Sequence, residues 1–221
     1  MPVHPADDVF LTWIHGWAAA RSLAPPVPHG EGFHISVGAP RQASRYVFPH
    51  PSSTLRDCGA EIQAPWVFLK TRALPEELRA LLPERWRIEP LHWMMTCDDR
   101  PFPGHHALPP GYLLQVDDDT ARTACGHVSV LAPDGELAAC GHLVLGERMA
   151  IYDRIVTEPA HQRRGLGRAV MQSLQTLAQA HGRHGGVLVA TDEGRALYET
   201  LGWQLESPWA GAVIPGPDDA P

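Results

Sequence analysis

The segment at positions 157–168, TEPAHQRRGLGR, combines arginines with glycines where a strand is predicted to give way to a helix. The first backbone N–H groups of a helix have no acceptor within it, and the helix dipole adds partial positive charge there. Arg163, Arg164 and Arg168 add full positive charges, and the glycines allow the backbone to approach an anion closely. The segment therefore predicts a site for a phosphate or pyrophosphate group.

Two common phosphate-binding motifs do not fit this segment. The pattern G-x-x-x-x-G-K-[ST] is absent, and the pattern G-x-G-x-x-G would need a glycine where Val170 stands. On local chemistry alone, the ligand that carries the pyrophosphate stays open.

Two ordered motifs resemble those of the GNAT superfamily of acyl-CoA-dependent N-acyltransferases. Residues 162–167, QRRGLG, resemble the family's R/Q-x-x-G-x-G/A motif, and residues 196–203, ALYETLGW, are similar to its A-L-Y-E-x-L-G-F/W segment. Two motifs in the right order are more specific than either alone. The resemblance covers roughly Tyr112 to Ile214, which is the C-terminal half of the chain.

This resemblance implies that acetyl-CoA is the acyl-donor substrate. The N–H groups of residues 163–168 would hold the CoA pyrophosphate, the strand edge at 155–157 would pair with the pantetheine arm, and the Ile155 N–H would polarise the acyl carbonyl. That strand should splay from the strand at 187–190. The full set of implied CoA-binding residues is Ile155, Val156, Thr157, Gln162, Arg163, Arg164, Gly165, Leu166, Gly167, Arg168 and Thr191, although many family members have asparagine in place of Thr191.

Two residues are candidates for the chemistry of acyl transfer. The acceptor amine must lose a proton before it attacks a thioester, and Asp153 is expected on the same strand face as Ile155 because side chains alternate with a period of two. An ordinary Asp titrates near ~3.9, so Asp153 acts as a base only if burial raises its pKa, and otherwise binds the ammonium. Water as the base stays open. The resemblance assigns Tyr198 to protonation of the departing CoA thiolate; core packing for Tyr198 and a salt bridge for Asp153 are the alternatives.

The elements that must position these residues are predicted most clearly after residue 125. Leu166, Val170, Leu174 and Leu177 follow one another at helical spacing and predict an amphipathic helix. Around it we predict strands at 127–131, 136–145 and 149–157 as a three-stranded antiparallel meander, a strand at 186–190, a helix at 195–201 and an extended segment at 203–214.

The first half of the chain is rich in proline, which excludes long helices over most of it. There we predict helices at 7–22 and 75–82 and strands at 33–38, 45–48 and 66–70. The fold class is therefore α/β (α+β), with a GNAT-like mixed, mostly antiparallel sheet flanked by helices. Residues 91–221 are expected to form the acyl-CoA-binding catalytic domain. Residues 1–90 form an α+β region that is either a degenerate second GNAT-like half, a lid or a dimerisation surface.

Composition narrows the classes of partner. The chain has 221 residues and a formal net charge of −7, which argues against nucleic acid or an anionic membrane as the main partner. No export signal precedes the four cysteines, and they form no C-x-x-C pair, so we expect reduced thiols in a cytoplasmic protein. Without H-E-x-x-H or a zinc-type Cys/His spacing, we expect no metal. A homodimer is possible.

The sequence thus predicts an N-acetyltransferase that moves an acetyl group from acetyl-CoA to a primary amine of a small molecule, by direct attack in a ternary complex. Two alternatives remain. One is a non-catalytic acyl-CoA-binding sensor or interaction module, and the other is a protein or peptide N-acetyltransferase, which differs only in its acceptor site.

Overall fold

The computed structural model describes residues 5–104 and 107–217. The elements along the chain are α1 (Pro5–Ala19), β1 (Val27–His29), β2 (Gly32–Ala39), β3 (Gln42–Phe48), α2 (Ser53–Glu61), β4 (Val67–Thr71), α3 (Pro75–Leu81), β5 (Arg87–Ile88), β6 (His92–Cys97), β7 (Leu113–Asp119), α4 (Thr120–Thr123), β8 (Cys125–Leu131), β9 (Leu137–Leu145), β10 (Ala150–Thr157), α5 (Leu166–Ala180), β11 (Gly186–Ala190), α6 (Asp192–Thr200) and β12 (Gln204–Val213). None of the helices in these described ranges is long and apolar enough to cross a membrane.

These elements form two compact units. Among the described residues, the first unit takes in 5–94, 189–192 and 205–217, and the second takes in the remaining parts of 95–204. The predicted division into 1–90 and 91–221 differs from these two units, because it assigns all of β12 to the second part. In the structure β12 pairs with β4 and β5, so the chain returns to the first unit after α6.

The first unit is built on a sheet with the strand order β1-β2-β3-β4-β12, and β5 pairs with β12. Strands β3 and β4 are parallel, and their register runs from Ser44 opposite Val67 to Phe48 opposite Thr71. Helix α2 makes the crossover between them, as parallel neighbours require. The other ladders of this sheet are antiparallel.

Helix α2 is an element that the sequence analysis missed, because Pro49 and Pro51 directly before it indicate a broken segment. The structure shows that Ser52 caps the helix, its hydroxyl accepting the Leu55 N–H at 3.2 Å. Leu55 and Cys58 then enter the core of this unit. That core also contains Phe48, Val67, Leu69, Ala73, Leu78, Leu82, Trp86, Ala210, Ala212 and Ile214.

The second unit is built on strands in the order β11-β10-β9-β8-β7. Strands β7 to β10 pair antiparallel with one another in chain order. They form a meander of four strands, one more than the three predicted. The second unit also contains the acidic run at residues 117–119. These residues are the end of β7, and Asp117 lies opposite His127 in register.

Helix α5 covers one face of this second sheet, as its apolar spacing predicts. Leu166, Val170, Leu174 and Leu177 are all buried. The sheet accepts the helix because Gly126 and Gly141 leave room for it: a Cβ on Gly141 would lie 2.7 Å from Val170 Cγ1, and one on Gly126 would lie 2.4 Å from Leu177 Cδ2. The predicted fold class, a mixed and mostly antiparallel sheet flanked by helices, is confirmed.

Candidate active site

The loop between β10 and α5 has an unusual backbone. After β10 the chain makes a 3-10 turn at Pro159–His161, and then Arg163 and Gly165 both adopt positive φ angles, of 61° and 79°. Gly165 is the residue that precedes α5, and no side chain caps the helix there. Glycine adopts such a φ without the steric cost that a Cβ brings, which explains its place in the motif.

This backbone leaves a row of donors at the start of α5. The first backbone bond of the helix is from the Ala169 N–H to the Gly165 carbonyl, at 3.1 Å. Within the described parts of the chain, the N–H groups of residues 163–168 have no hydrogen-bond acceptor. Uncapped N–H groups at a helix N-terminus are a ready anion site.

The three arginines of the motif differ in their surroundings. Arg164 donates to the Tyr112 hydroxyl at 3.1 Å and to the Ala160 carbonyl at 3.3 Å. Arg168 donates to the Pro103 carbonyl and to Thr200 Oγ1, each at 2.8 Å. Arg163 is exposed and forms no hydrogen bond or ion pair to any described residue. All partners of Arg164 and Arg168 are neutral, so the positive charge of the loop is not cancelled.

The remaining motif residues hold the loop against its neighbours. Gln162 Nε2 donates to the Thr157 carbonyl at 3.3 Å, so it ties the loop to the end of β10. A Cβ on Gly167 would lie 3.2 Å from Leu197 Cδ2 and 3.5 Å from Thr157 Oγ1. A side chain at position 167 would therefore force α5 away from α6. Leu166 contributes to the core, where it is buried.

Beside this loop, β10 loses its parallel partner. Strands β10 and β11 pair at two positions only, Ala150 with Gly186 and Ile151 with Val187. Strand β10 nevertheless continues to Thr157. The predicted splay is thus present, and the backbone groups on this edge of β10 are available to a bound chain. Ile155 and Thr157 are half-buried there, and Val156 is exposed.

A β-bulge interrupts β10 next to the predicted site of the acyl carbonyl. Asp153 pairs with His142 and Val156 pairs with Cys140, so two residues of β10 oppose only Gly141. Arg154, inside the bulge, has a φ of 52°. A bulge re-aims side chains and releases backbone groups from the ladder.

The bulge corrects one expectation from the sequence. The period-two rule placed Asp153 and Ile155 on the same face, but Ile155 packs over Gly141 toward α5, where its Cδ1 lies 2.6 Å from the position of a Gly141 Cβ. Asp153 lies opposite His142, which follows Gly141 and faces away from α5. The extra residue of the bulge explains the error.

Tyr198 is buried in an aromatic cluster of the second unit. Its ring centroid lies 6.1 Å from that of Trp203, which in turn meets Tyr152 edge to face at 5.1 Å. Burial, and to a smaller extent the negative charge of Asp153, raise the pKa of Tyr198. The phenol is therefore protonated at neutral pH and can donate a hydrogen bond. Both catalytic candidates are thus close enough to interact electrostatically.

The structure brings together most of the residues that the resemblance assigned. Asp153, the strand edge 155–157, the loop 162–168 and Tyr198 all belong to the second unit. Thr191 belongs to the first unit, where it is exposed in the connection between β11 and α6. The sequence analysis missed Tyr112, whose hydroxyl lies 2.8 Å from His161 Nδ1 and accepts from Arg164. No motif marks Tyr112, because it reaches the loop only through tertiary packing.

The cysteines and the metal-binding residue types offer little further chemistry. Burial raises the pKa of the Cys97 thiol to about 12 and that of Cys58 to about 11, and it also raises the pKa of Cys125 and Cys140. The described thiols are therefore protonated at neutral pH and poor nucleophiles. Within the described residues, no group of three His, Cys, Asp or Glu side chains is arranged to hold a metal ion.

Comparison with known proteins supports the fold described above. Solved structures of GCN5-related N-acetyltransferases match nearly the whole chain. The one from Kribbella flavida has a TM-score of 0.66 at 14% identity and covers 96% of this chain and 95% of its own. That from Sphaerobacter thermophilus has a TM-score of 0.59 at 13% identity and covers 97% and 95%.

A third solved structure, of a tandem GNAT protein from the clavulanic acid biosynthesis pathway, has a TM-score of 0.55 at 15% identity and covers 93% of each chain. At these identities the likeness concerns the fold. Residues 124–205 of this chain also match the family model of the acetyltransferase (GNAT) domain. Residues 124–205 therefore resemble a GNAT acetyltransferase domain, which confirms the resemblance that the two motifs predicted.

Proposed function

We propose that this protein is an N-acetyltransferase that transfers an acetyl group from acetyl-CoA to a primary amine of a small molecule. The observation that carries the proposal is the row of unpaired N–H groups at 163–168, directly after a strand that has lost its parallel partner. The row suits a pyrophosphate, and the open strand edge suits an extended arm that needs backbone partners. Acetyl-CoA has both parts.

In this proposal the donor runs from the loop to the bulge. Residues 162–168 bind the pyrophosphate, and the edge of β10 at 155–157 pairs with the pantetheine arm. The bulge releases the Ile155 N–H from the ladder toward the acyl carbonyl. A fixed backbone dipole at this point stabilises the negative charge that develops on the carbonyl oxygen during attack.

The acetyl group then moves in a single transfer between the two substrates. The amine nitrogen forms a bond to the acyl carbon, and the bond from carbon to sulfur breaks. Asp153 receives the ammonium and takes its proton, and Tyr198 donates its phenolic proton to the departing thiolate. The second amine proton, which leaves as the amide forms, restores the Tyr198 phenol. Direct attack is favoured over an acyl-enzyme because the described cysteines are protonated thiols with raised pKa values.

Thiol release from acetyl-CoA over a panel of amino acids, polyamines, aminoglycosides and short peptides tests the proposal. We expect one class of small amine to give steady release, and Tyr198→Phe to lower the rate by about tenfold or more, since general acid catalysis typically contributes at least that much. Tyr46→Phe is the matched control, because Tyr46 stacks on His29 and His34 in the first unit. Its rate should equal that of the unmodified protein.

The other outcomes separate the alternatives. Release with peptides alone would favour a protein or peptide N-acetyltransferase. CoA binding without release for any amine would favour a sensor or interaction module. Absence of CoA binding by calorimetry would contradict the proposal and both alternatives at once.

A further inference from the structure

Four titratable side chains form a row across the sheet of the second unit. The strand register places Asp153 of β10 opposite His142 of β9, His142 opposite His127 of β8, and His127 opposite Asp117 of β7. Strand β7 is at the edge of this sheet, and Asp117 is exposed there. The row thus joins the catalytic candidate Asp153 to the sheet edge.

The row lies on the face of the sheet that α5 does not cover. Gly141 and Gly126, which directly precede His142 and His127, are the residues that face α5. Because successive side chains of a strand point to opposite faces, His142 and His127 point away from the helix. Both histidines are half-buried, so they are partly shielded from solvent.

Neighbouring side chains in this row lie opposite one another on adjacent strands. The ring centroids of His127 and His142 are 4.6 Å apart, with an interplanar angle of 53°. Side chains directly opposite on antiparallel strands have Cβ atoms about 5 Å apart, which allows a hydrogen bond directly or through one water molecule. The same register relation holds between Asp153 and His142, and between His127 and Asp117.

We propose that His142 and His127 relay the proton of the acceptor amine from Asp153 to solvent at the sheet edge, beside Asp117. This inference rests on the proposed acetyl transfer. The two histidines are positioning residues for proton movement, since they act through Asp153 and not on the acceptor itself. The sequence analysis did not single them out, because only the strand register brings them into line with Asp153.

The relay balances the protons of the reaction. An acceptor that arrives as an ammonium carries one more proton than the two products can keep, because the amide and the CoA thiol are both neutral. Asp153 takes that proton, and passes it to His142 so that the carboxylate is ready for the next turnover. Imidazole is suited to this step, since it gains and loses a proton near neutral pH while an ordinary carboxylate does not.

The groups around His142 on this face define its electrostatic surroundings. Asp153 flanks it on β10 and His127 on β8, and Cys140 is the next residue on the same face of β9. Arg154, in the bulge, is near enough to lower the pKa of Cys140, although burial raises that pKa overall.

Substitution of His142 by glutamine, which keeps hydrogen bonding but cannot titrate, tests the relay. We expect His142→Gln to lower kcat by about tenfold, with the affinity for CoA and the KM for the amine unchanged. Added imidazole should restore part of the rate, and the dependence of kcat on pH below neutrality should flatten. His127→Gln should cause the same changes to a smaller extent. Ser129→Ala, on the same face of β8, is the matched control and should leave kcat unchanged.

The outcomes separate the relay from the proposed function. If the unmodified protein releases thiol, and His142→Gln has the same kcat and the same pH profile of kcat, the relay alone is contradicted. An unmodified protein that releases no thiol contradicts the acetyl transfer itself. If His142→Gln does not fold, His127→Gln decides: a lowered kcat with imidazole rescue supports the relay, and an unchanged pH profile overturns it.

Discussion

The two units contain the same local arrangement of a strand, a crossover helix and a parallel strand, yet only one of them leaves its helix N-terminus open. In the first unit this arrangement is β3, α2 and β4, and in the second it is β10, α5 and β11. The comparison separates what the topology provides from what the residues of the loop provide.

At the first crossover, side chains and strand pairing occupy groups that could otherwise contact a ligand. The Ser52 hydroxyl caps α2, and the Arg72 guanidinium donates to the Pro49 carbonyl at 2.8 Å and lies 3.0 Å from His50 Nε2. Strands β3 and β4 remain paired up to Phe48 and Thr71, at the very end of both strands. The Leu55 donor of α2 is therefore satisfied by its cap, and the pairing of β3 with β4 extends to the end of both strands.

The second crossover differs in all of these features. Gly165 cannot cap α5, the loop donors are unpaired, and the parallel pairing ends after two positions. An acyl-CoA site on this topology therefore depends on the loop residues and not on the crossover itself. We propose on this basis that the first unit is a degenerate second GNAT-like half that has lost its CoA site.

The two crossover helices should contribute equally to the free energy of unfolding, although only one of them leaves its N-terminus uncapped. Leu55 of α2 and Leu174 of α5 are both fully buried. We expect Leu55→Ala and Leu174→Ala each to lower the free energy of unfolding by about 2–5 kcal/mol, measured by denaturant titration. A cost below about 1 kcal/mol for either one would show that its helix is not an integral part of the core.

An acceptor placed at the N-terminus of α5 should weaken CoA binding. Gly165→Asp places an acceptor and a negative charge at the start of α5, as Ser52 places an acceptor at α2. We expect the affinity for CoA to fall by about 100-fold or more, which corresponds to about 2.7 kcal/mol. Gly165→Asn is the matched control, since it keeps the shape without the charge, and its loss should be smaller. Equal affinity of Gly165→Asp and the unmodified protein would refute the anion site.

Opening the first loop should affect stability only. Ser52→Ala removes the cap of α2, and such a loss typically costs about 1 kcal/mol of folding free energy. Calorimetry with CoA should show no change in affinity. A gain or loss of CoA affinity in Ser52→Ala would contradict the claim that this crossover takes no part in binding.

The contributions to stability at the C-terminal ends of α5 and α2 should depend differently on pH. At the end of α5, hydrogen bonds from Thr120 and then from His181 lower the pKa of Asp118 to about 2. The stability that this carboxylate contributes is fully present above its unfolded pKa of about 3.9, and it is lost as the pH falls toward 2. Asp118→Asn should therefore lower Tm at pH 7, and the difference should narrow below about pH 4.

The corresponding end of α2 is held by a group that does not titrate in this range. Arg85 donates to the carbonyls of Gly59, Ala60 and Ile62. Thermal unfolding of Arg85→Gln should therefore show a deficit in Tm that does not change between pH 7 and pH 3. A deficit that vanishes in acid for Arg85→Gln, or that persists in acid for Asp118→Asn, would contradict this assignment.

The sequence predicted the loop and the helix of the second unit well, because their features are local. The spacing of Leu166, Val170 and Leu174 matches a helix buried on one side, and the glycines of the motif mark the backbone that leaves donors free. The bulge in β10 was not predictable in the same way. No glycine or proline marks Arg154, whose positive φ is imposed by pairing with β9.

The same distinction explains the other differences. Helix α2 depends on burial of Leu55 and Cys58 in a core that the sequence does not display, and the nearby prolines point the other way. The alignment of Asp153 with His142 follows from strand register, which depends on residues far apart in the chain. Local features can therefore be predicted from the sequence, whereas the alignment of residues across the sheet cannot.

Calorimetric titration of the full chain with CoA reports affinity and stoichiometry together. We expect one CoA bound per chain, with binding retained in Ser52→Ala and lost in Gly165→Asp. Two CoA molecules per chain would show that the first crossover also binds, and binding that survives Gly165→Asp would show that the loop at 163–168 is not the site.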